Sequence, residues 1–85
     1  MEYVYSRHAL DQLQERNITI EQVEEVLQNP QQILREANYT ILQSVLKFED
    51  KDYLLRVFLN DLVSPHRIIT VYKTSKIDKY HEGEI

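Results

Sequence analysis

Apolar side chains recur along this chain with two periods, and the change falls near Gln31. Before it, Leu10 and Leu13 stand three residues apart with Ala9 alongside, and Val23, Val26 and Leu27 follow at i, i+3 and i+4. This spacing predicts two short amphipathic helices. Ser6, after a short β-type run from Glu2 to Tyr5, is a good N-cap for the first, which ends near Asn17. Thr19 can cap the second, with Gln22 three residues on completing a capping box, and Asn29-Pro30 stops it. Glu21, Glu24 and Glu25 lie off the apolar stripe, with Glu21 near the positive end of the helix dipole. The two helices are expected to form a hairpin, antiparallel or crossed.

From Gln31 onward the period is two, predicting strands at about Ile33 to Glu36, Tyr39 to Phe48, Tyr53 to Asn60 and Arg67 to Thr74. The polar cluster Glu49-Asp50-Lys51-Asp52 reads as a hairpin turn that sets Phe48 opposite Tyr53. In that register Leu42, Leu46, Phe48, Tyr53, Leu55, Val57 and Leu59 share one nearly all-apolar face, which packs on the helices. Tyr39, Ile41, Gln43, Val45, Lys47, Leu54, Arg56, Phe58 and Asn60 share the other, an open face. In the last strand Ile69 and Val71 suit the core, which puts Thr70 and Tyr72 on the open face with Arg56. The fold class is α+β: a short N-terminal strand and a two-helix hairpin packed on one face of an antiparallel sheet.

Eighty-five residues make one domain, expected to span 1–80, with 81–85 as a short polar tail. The absence of cysteine excludes disulfides and thiolate metal sites. No apolar run is long enough to span a membrane, and MEYVYSRH lacks the apolar core of a signal peptide. No membrane contact and a cytoplasmic location are therefore expected. The net charge of −4 argues against a nucleic-acid partner. The acids nonetheless cluster at residues 21–25, 49–52 and 78–84, leaving room for a locally basic face.

His8, His66 and His81 are scattered, and a chain with one glycine cannot form a glycine-rich phosphate loop, so neither a metal nor another cofactor is expected. The basic side chains carry more. Lys47 and Arg56 share the open face and, in the register above, stand close enough to reach one phosphate. Tyr39, Phe58 and Tyr72 offer rings on which bases could stack. Metal-free RNA cleavage needs a base for the 2′-hydroxyl, a cation for the charged phosphorane and an acid for the leaving 5′-oxygen. Arginine suits the second role, and histidine or tyrosine the others. His8, at the start of the first helix, could serve as the base, and a phosphate could dock there beside Arg7. The plainer reading packs His8 against the sheet edge, and Arg16 in the last turn can simply compensate the dipole.

"SRHALDQLQERNITIEQVEEVLQNP" and "YLLRVF...HRIITVYKTSK" resemble the small uncharacterised bacterial proteins that begin with a Ser-x-His-Ala helix, relatives of the BrnT toxins in the RelE/ParE-like superfamily. The resemblance covers residues 1 to about 80 and implies a RelE-like domain, often encoded beside an antitoxin, whose ribonuclease members cut messenger RNA without metal. By that resemblance Lys47 and Arg56 match the basic strand residues, and Tyr72 or Tyr80 the late aromatic residue. Two functions follow as expectations. In the first the chain is a toxin-type endoribonuclease with His8, Arg56 and Tyr72 catalytic and Arg7, Arg16 and Lys47 binding RNA. In the second it is a non-catalytic module whose open face docks an antitoxin helix or closes in a homodimer.

Overall fold

The computed structural model of the chain describes residues 3–80. In chain order its elements are β1 (Tyr3–Tyr5), α1 (Arg7–Glu15), α2 (Ile20–Gln28), β2 (Gln32–Arg35), β3 (Thr40–Phe48), β4 (Lys51–Asn60), β5 (His66–Thr74) and the single turn α3 (Ile77–Tyr80). The expected tail at 81–85, and Glu2 at the start of the first expected strand, lie outside the described residues.

The helix signals act as read. Ser6 Oγ accepts from the Ala9 N–H at 3.0 Å, and the same hydroxyl donates to the carbonyl of Ile69 at 2.9 Å, so one side chain caps α1 and fastens it to β5. Thr19 and Gln22 exchange both capping-box hydrogen bonds, at 3.1 and 2.8 Å. Ala9 and Leu13 from α1, and Val23, Val26 and Leu27 from α2, join Leu42, Phe48, Leu55, Val57, Leu59, Ile68 and Val71 of the sheet in one core. Each large aliphatic chain so buried contributes about 1.5–3 kcal/mol.

Five strands form one sheet in the order β1-β5-β4-β3-β2. It is mixed, which corrects the expectation of an antiparallel sheet: β1 runs parallel to β5, Tyr3 pairing with His66 and Tyr5 with Ile68. Three residues of β-type sequence carry no sign of direction, because alternation is the same in either sense. Past Ile68 no strand among the described residues lies beside the outer edge of β5. There α1 supplies the missing partner, Gln12 Oε1 accepting from the Val71 N–H at 2.9 Å.

Two registers differ from expectation. The β3–β4 hairpin turns on Glu49 and Asp50 alone, both with positive φ, so Phe48 pairs with Lys51 and Leu46 with Tyr53. A two-residue loop of this kind matches the twist of the strands better than the wider loop read from the polar run. In β5 the ladder slips between Phe58 and Leu59, whose partners are Thr70 and Ile68. Ile69 is thus the extra residue of a β-bulge, and the core position expected for it belongs to Ile68, which is fully buried. Val71 is in the core, and Thr70 and Tyr72 are on the face opposite it.

Candidate functional site

One cross-strand row runs over four strands on the face away from the core. Gln32 on β2 pairs with Gln43 on β3, Gln43 with Arg56 on β4, and Arg56 with Tyr72 on β5. Their side chains form a continuous hydrogen-bonded chain. Gln43 Nε2 donates to Gln32 Oε1 at 2.8 Å, Arg56 Nε donates to Gln43 Oε1 at 2.9 Å, and Arg56 Nη1 donates to the Tyr72 hydroxyl. Gln43 also donates to the carbonyl of Tyr80 at 3.2 Å, which draws α3 over the row.

Aromatic rings complete the enclosure. The Arg56 guanidinium lies 5.3 Å from the centroid of Phe58, 5.5 Å from Tyr72 and 4.7 Å from Tyr80. Phe58 stacks on Tyr72 at 5.8 Å, Tyr80 meets Tyr72 edge-on at 6.3 Å, and Tyr39 extends the row of rings at 5.5 Å from Phe58. Ring faces attract a cation by about 0.5–2 kcal/mol each, so they hold the guanidinium without neutralising it. Gln43 is fully buried and Arg56 is 7% exposed. The face read as open is therefore covered at its centre, with Leu54 and Ile41 buried in it as well.

Charge is what this site leaves unbalanced. Among the described residues no carboxylate pairs with Arg56. Two of its five N–H groups are bonded to Gln43 and Tyr72, and the other three have no acceptor among the described residues. A buried cation without an anion is costly unless something else supplies the charge, and a guanidinium is shaped to take a phosphate or carboxylate through two parallel bonds. The Tyr72 hydroxyl accepts from Arg56, which leaves its own proton to be donated elsewhere.

The structure brings only part of the sequence-predicted set together. Arg56 and Tyr72 are in contact, with Phe58 and Tyr39 beside them. Lys47 is not: it stands four residues along β3 from Gln43, about 13 Å at the usual strand rise, and it pairs with Asp52 at 3.0 Å. This corrects the reading that it shares a phosphate with Arg56, and the cause is the tighter hairpin turn. Arg7 is exposed and pairs with Asp11 at 3.3 Å, and Arg16 is the exposed C-cap of α1. His8 is exposed on α1, which runs beside β5, and it is not among the groups that touch Arg56. Gln43 belongs to the site although its place on the open face did not by itself mark it as a site residue. Its signal was a carboxamide in the middle of TILQSVLKF, the apolar run that pairs with the one holding Arg56.

No three His, Asp or Glu side chains gather as a metal site among the described residues. No helix among them is long and apolar enough to cross a membrane. The family model described as "Domain of unknown function (DUF4258)" matches residues 5–73, and the chain belongs to that family. No curated protein and no solved structure matches the chain. The matched span holds the whole row from Gln32 to Tyr72, while Tyr80 lies beyond it.

Proposed function

We propose that this DUF4258 protein is a toxin of the RelE/ParE-like kind, an endoribonuclease that grips an RNA phosphodiester at Arg56 and needs no metal. The observation that carries the reading is the buried Arg56 guanidinium, bonded to Tyr72 and lacking a carboxylate partner among the described residues. Its three unused N–H groups suit the phosphate oxygens, and the rings of Tyr39 and Phe58 suit unstacked bases of a single strand. Because Arg56 is 7% exposed, a phosphodiester reaches it with α3 drawn aside. The 2′-oxygen attacks phosphorus as its proton passes to solvent water, Arg56 stabilises the negative charge that builds on the phosphorane, and the P–O5′ bond breaks as Tyr72 gives its proton to the departing 5′-oxygen, leaving a 2′,3′-cyclic phosphate while Tyr72 regains a proton from water. An antitoxin would act by covering this face.

The test is inducible expression with RNA integrity as the readout. Wild-type protein is expected to arrest growth with loss of intact messenger RNA, and Arg56→Met and Tyr72→Phe are expected to relieve the arrest while remaining folded. Healthy growth at high levels of soluble wild-type protein would overturn the toxin reading. Relief by His8→Ala with Tyr72→Phe still toxic would move proton transfer away from Tyr72.

A further inference from the structure

A second set of cations lies on the helix side of the sheet, where the Arg56 row has no part. Lys73 occupies a position on β5 whose β4 partner is Leu55, a core residue with no exposed surface. A lysine there is out of keeping with its neighbours. Its ammonium sits 4.2 Å from the centroid of Phe48 and 5.3 Å from that of Tyr53, and the two rings meet edge-on at 5.6 Å. The rings thus hold the charge at a fixed point. No carboxylate pairs with Lys73 among the described residues.

Lys73 and both rings line a cavity of about 420 Å³ between the α1–α2 connection and the β3–β4 hairpin. Lys51 and Lys47 stand on its hairpin side, and Asn17 and Gln22 on its helix side. Lys47 is committed to Asp52, but Lys51 has no ion pair among the described residues. Gln22 uses its side-chain oxygen in the capping box and keeps its amide N–H groups to donate. Glu49, the one acidic side chain among the described lining residues, belongs to the tight turn. Donors and positive charge therefore predominate in a pocket on a protein whose net charge is −4. A volume of this size admits a small organic molecule rather than a single ion.

We propose that this cavity is a second anion site, which binds a phosphate group carried on a small molecule, with Lys73 and Lys51 as its charged contacts. Rings that strip water from one side of an ammonium strengthen its attraction for an anion on the other. The site is independent of the Arg56 row and of the toxin reading. It stands or falls on binding at the helix side alone.

The experiment is a titration of the ¹⁵N-labelled full chain followed by amide chemical shifts. Inorganic phosphate and adenosine 5′-monophosphate are the two probes, each against sodium chloride at matched ionic strength. Saturable shifts are expected at Asn17, Gln22, Glu49, Lys51 and Lys73. A tighter fit for the nucleotide shows that the body of the small molecule adds to binding, and equal affinity shows the phosphate to be the ligand by itself, overturning the small-molecule part. Lys73→Met, which keeps the aliphatic stem, is expected to weaken binding at least ~10-fold, and the exposed Lys51→Ala about 3-fold. Should Lys73→Met fail to fold, the Lys51 variant and the wild-type shift map still decide. Shifts confined to Arg56, Gln43 and Tyr72, or none beyond those of chloride, would overturn the proposal.

Discussion

Gln43 holds Arg56 from the side: its oxygen accepts from Nε at 2.9 Å, while its nitrogen donates both to Gln32 and to the backbone of Tyr80. The amide is oriented at both ends, so the guanidinium it receives has a fixed plane. Gln43→Ala takes the acceptor from the buried Arg56 Nε–H and the side-chain donor from the Tyr80 carbonyl, and about 2–4 kcal/mol of stability is expected to go with them, read as a lower urea midpoint. Gln43→Glu instead sets a carboxylate beside Arg56 and occupies the charge. Single-stranded RNA is then expected to bind at least ~10-fold more weakly, by fluorescence anisotropy.

Arg56→Met separates binding from stability. Removing a buried cation that has no anion relieves a desolvation cost, and methionine fills the space between the rings. Against this, Gln43 Oε1 and the Tyr72 hydroxyl lose their donor, and the rings of Phe58, Tyr72 and Tyr80 exchange a cation for the weaker contact of a thioether. The two effects are of similar size, so the variant is expected to unfold within about 1 kcal/mol of wild type. RNA binding is expected to fall to background, with a shallower salt dependence where any remains. Marked destabilisation would make Arg56 a structural residue first.

Tyr5 carries a different kind of defect. Its hydroxyl is buried with no hydrogen-bond partner among the described residues. Burial, and then Glu24 and Glu21, push the phenol above its ordinary value of 10.0. The folded state therefore holds this proton more tightly than the unfolded chain does. Its contribution is intact below pH 10.0 and is lost as the pH rises through the folded value. Tyr5→Phe is expected to stabilise the protein by about 1 kcal/mol at neutral pH and to reduce the alkaline loss, measured as melting temperature against pH.

The hairpin can be improved. Glu49 and Asp50 take φ values of 51° and 68°, a region that costs a residue with a Cβ about 1–2 kcal/mol and costs glycine little. Asp50→Gly is expected to raise stability by about 0.5–1 kcal/mol with the register unchanged, seen in the urea midpoint at constant slope.

The faces of the sheet were legible in the sequence although the hairpin register was not. The turn read from the polar run displaced the pairing by two residues, and an even displacement returns every side chain to its own face. Leu55 and Val57 on the core face, and Arg56 and Phe58 opposite them, are accordingly where the sequence puts them. What an even displacement does change is position along the strands, so Lys47 was drawn toward Arg56 when it lies four rungs away. Ile69 was misplaced because a bulge inserts one residue, and an odd displacement reverses faces. Nothing in RIITVYKT marks which of two isoleucines is the inserted one. Tyr80 is reached from the sequence only through the family resemblance, and α3 is hidden for another reason. A single helical turn has no period to detect, and its place over Arg56 depends on one long-range hydrogen bond and a set of ring contacts.

Strand β1 is laid against β5 at a separation of some sixty residues, Tyr3 beside His66, and Ser6 is tied to Ile69. Contacts so distant in sequence come late, because the chain must close its largest loop before they return any energy. Translation imposes the same order. A nascent chain can pair β3 with β4 soon after Asn60 emerges, but the guanidinium of Arg56 has no Tyr72 beside it and no Tyr80 above it until those residues have been made. The candidate site is thus completed only once Tyr72 and then Tyr80 have emerged, and the ribosome that synthesises the protein carries it in an incomplete form until then.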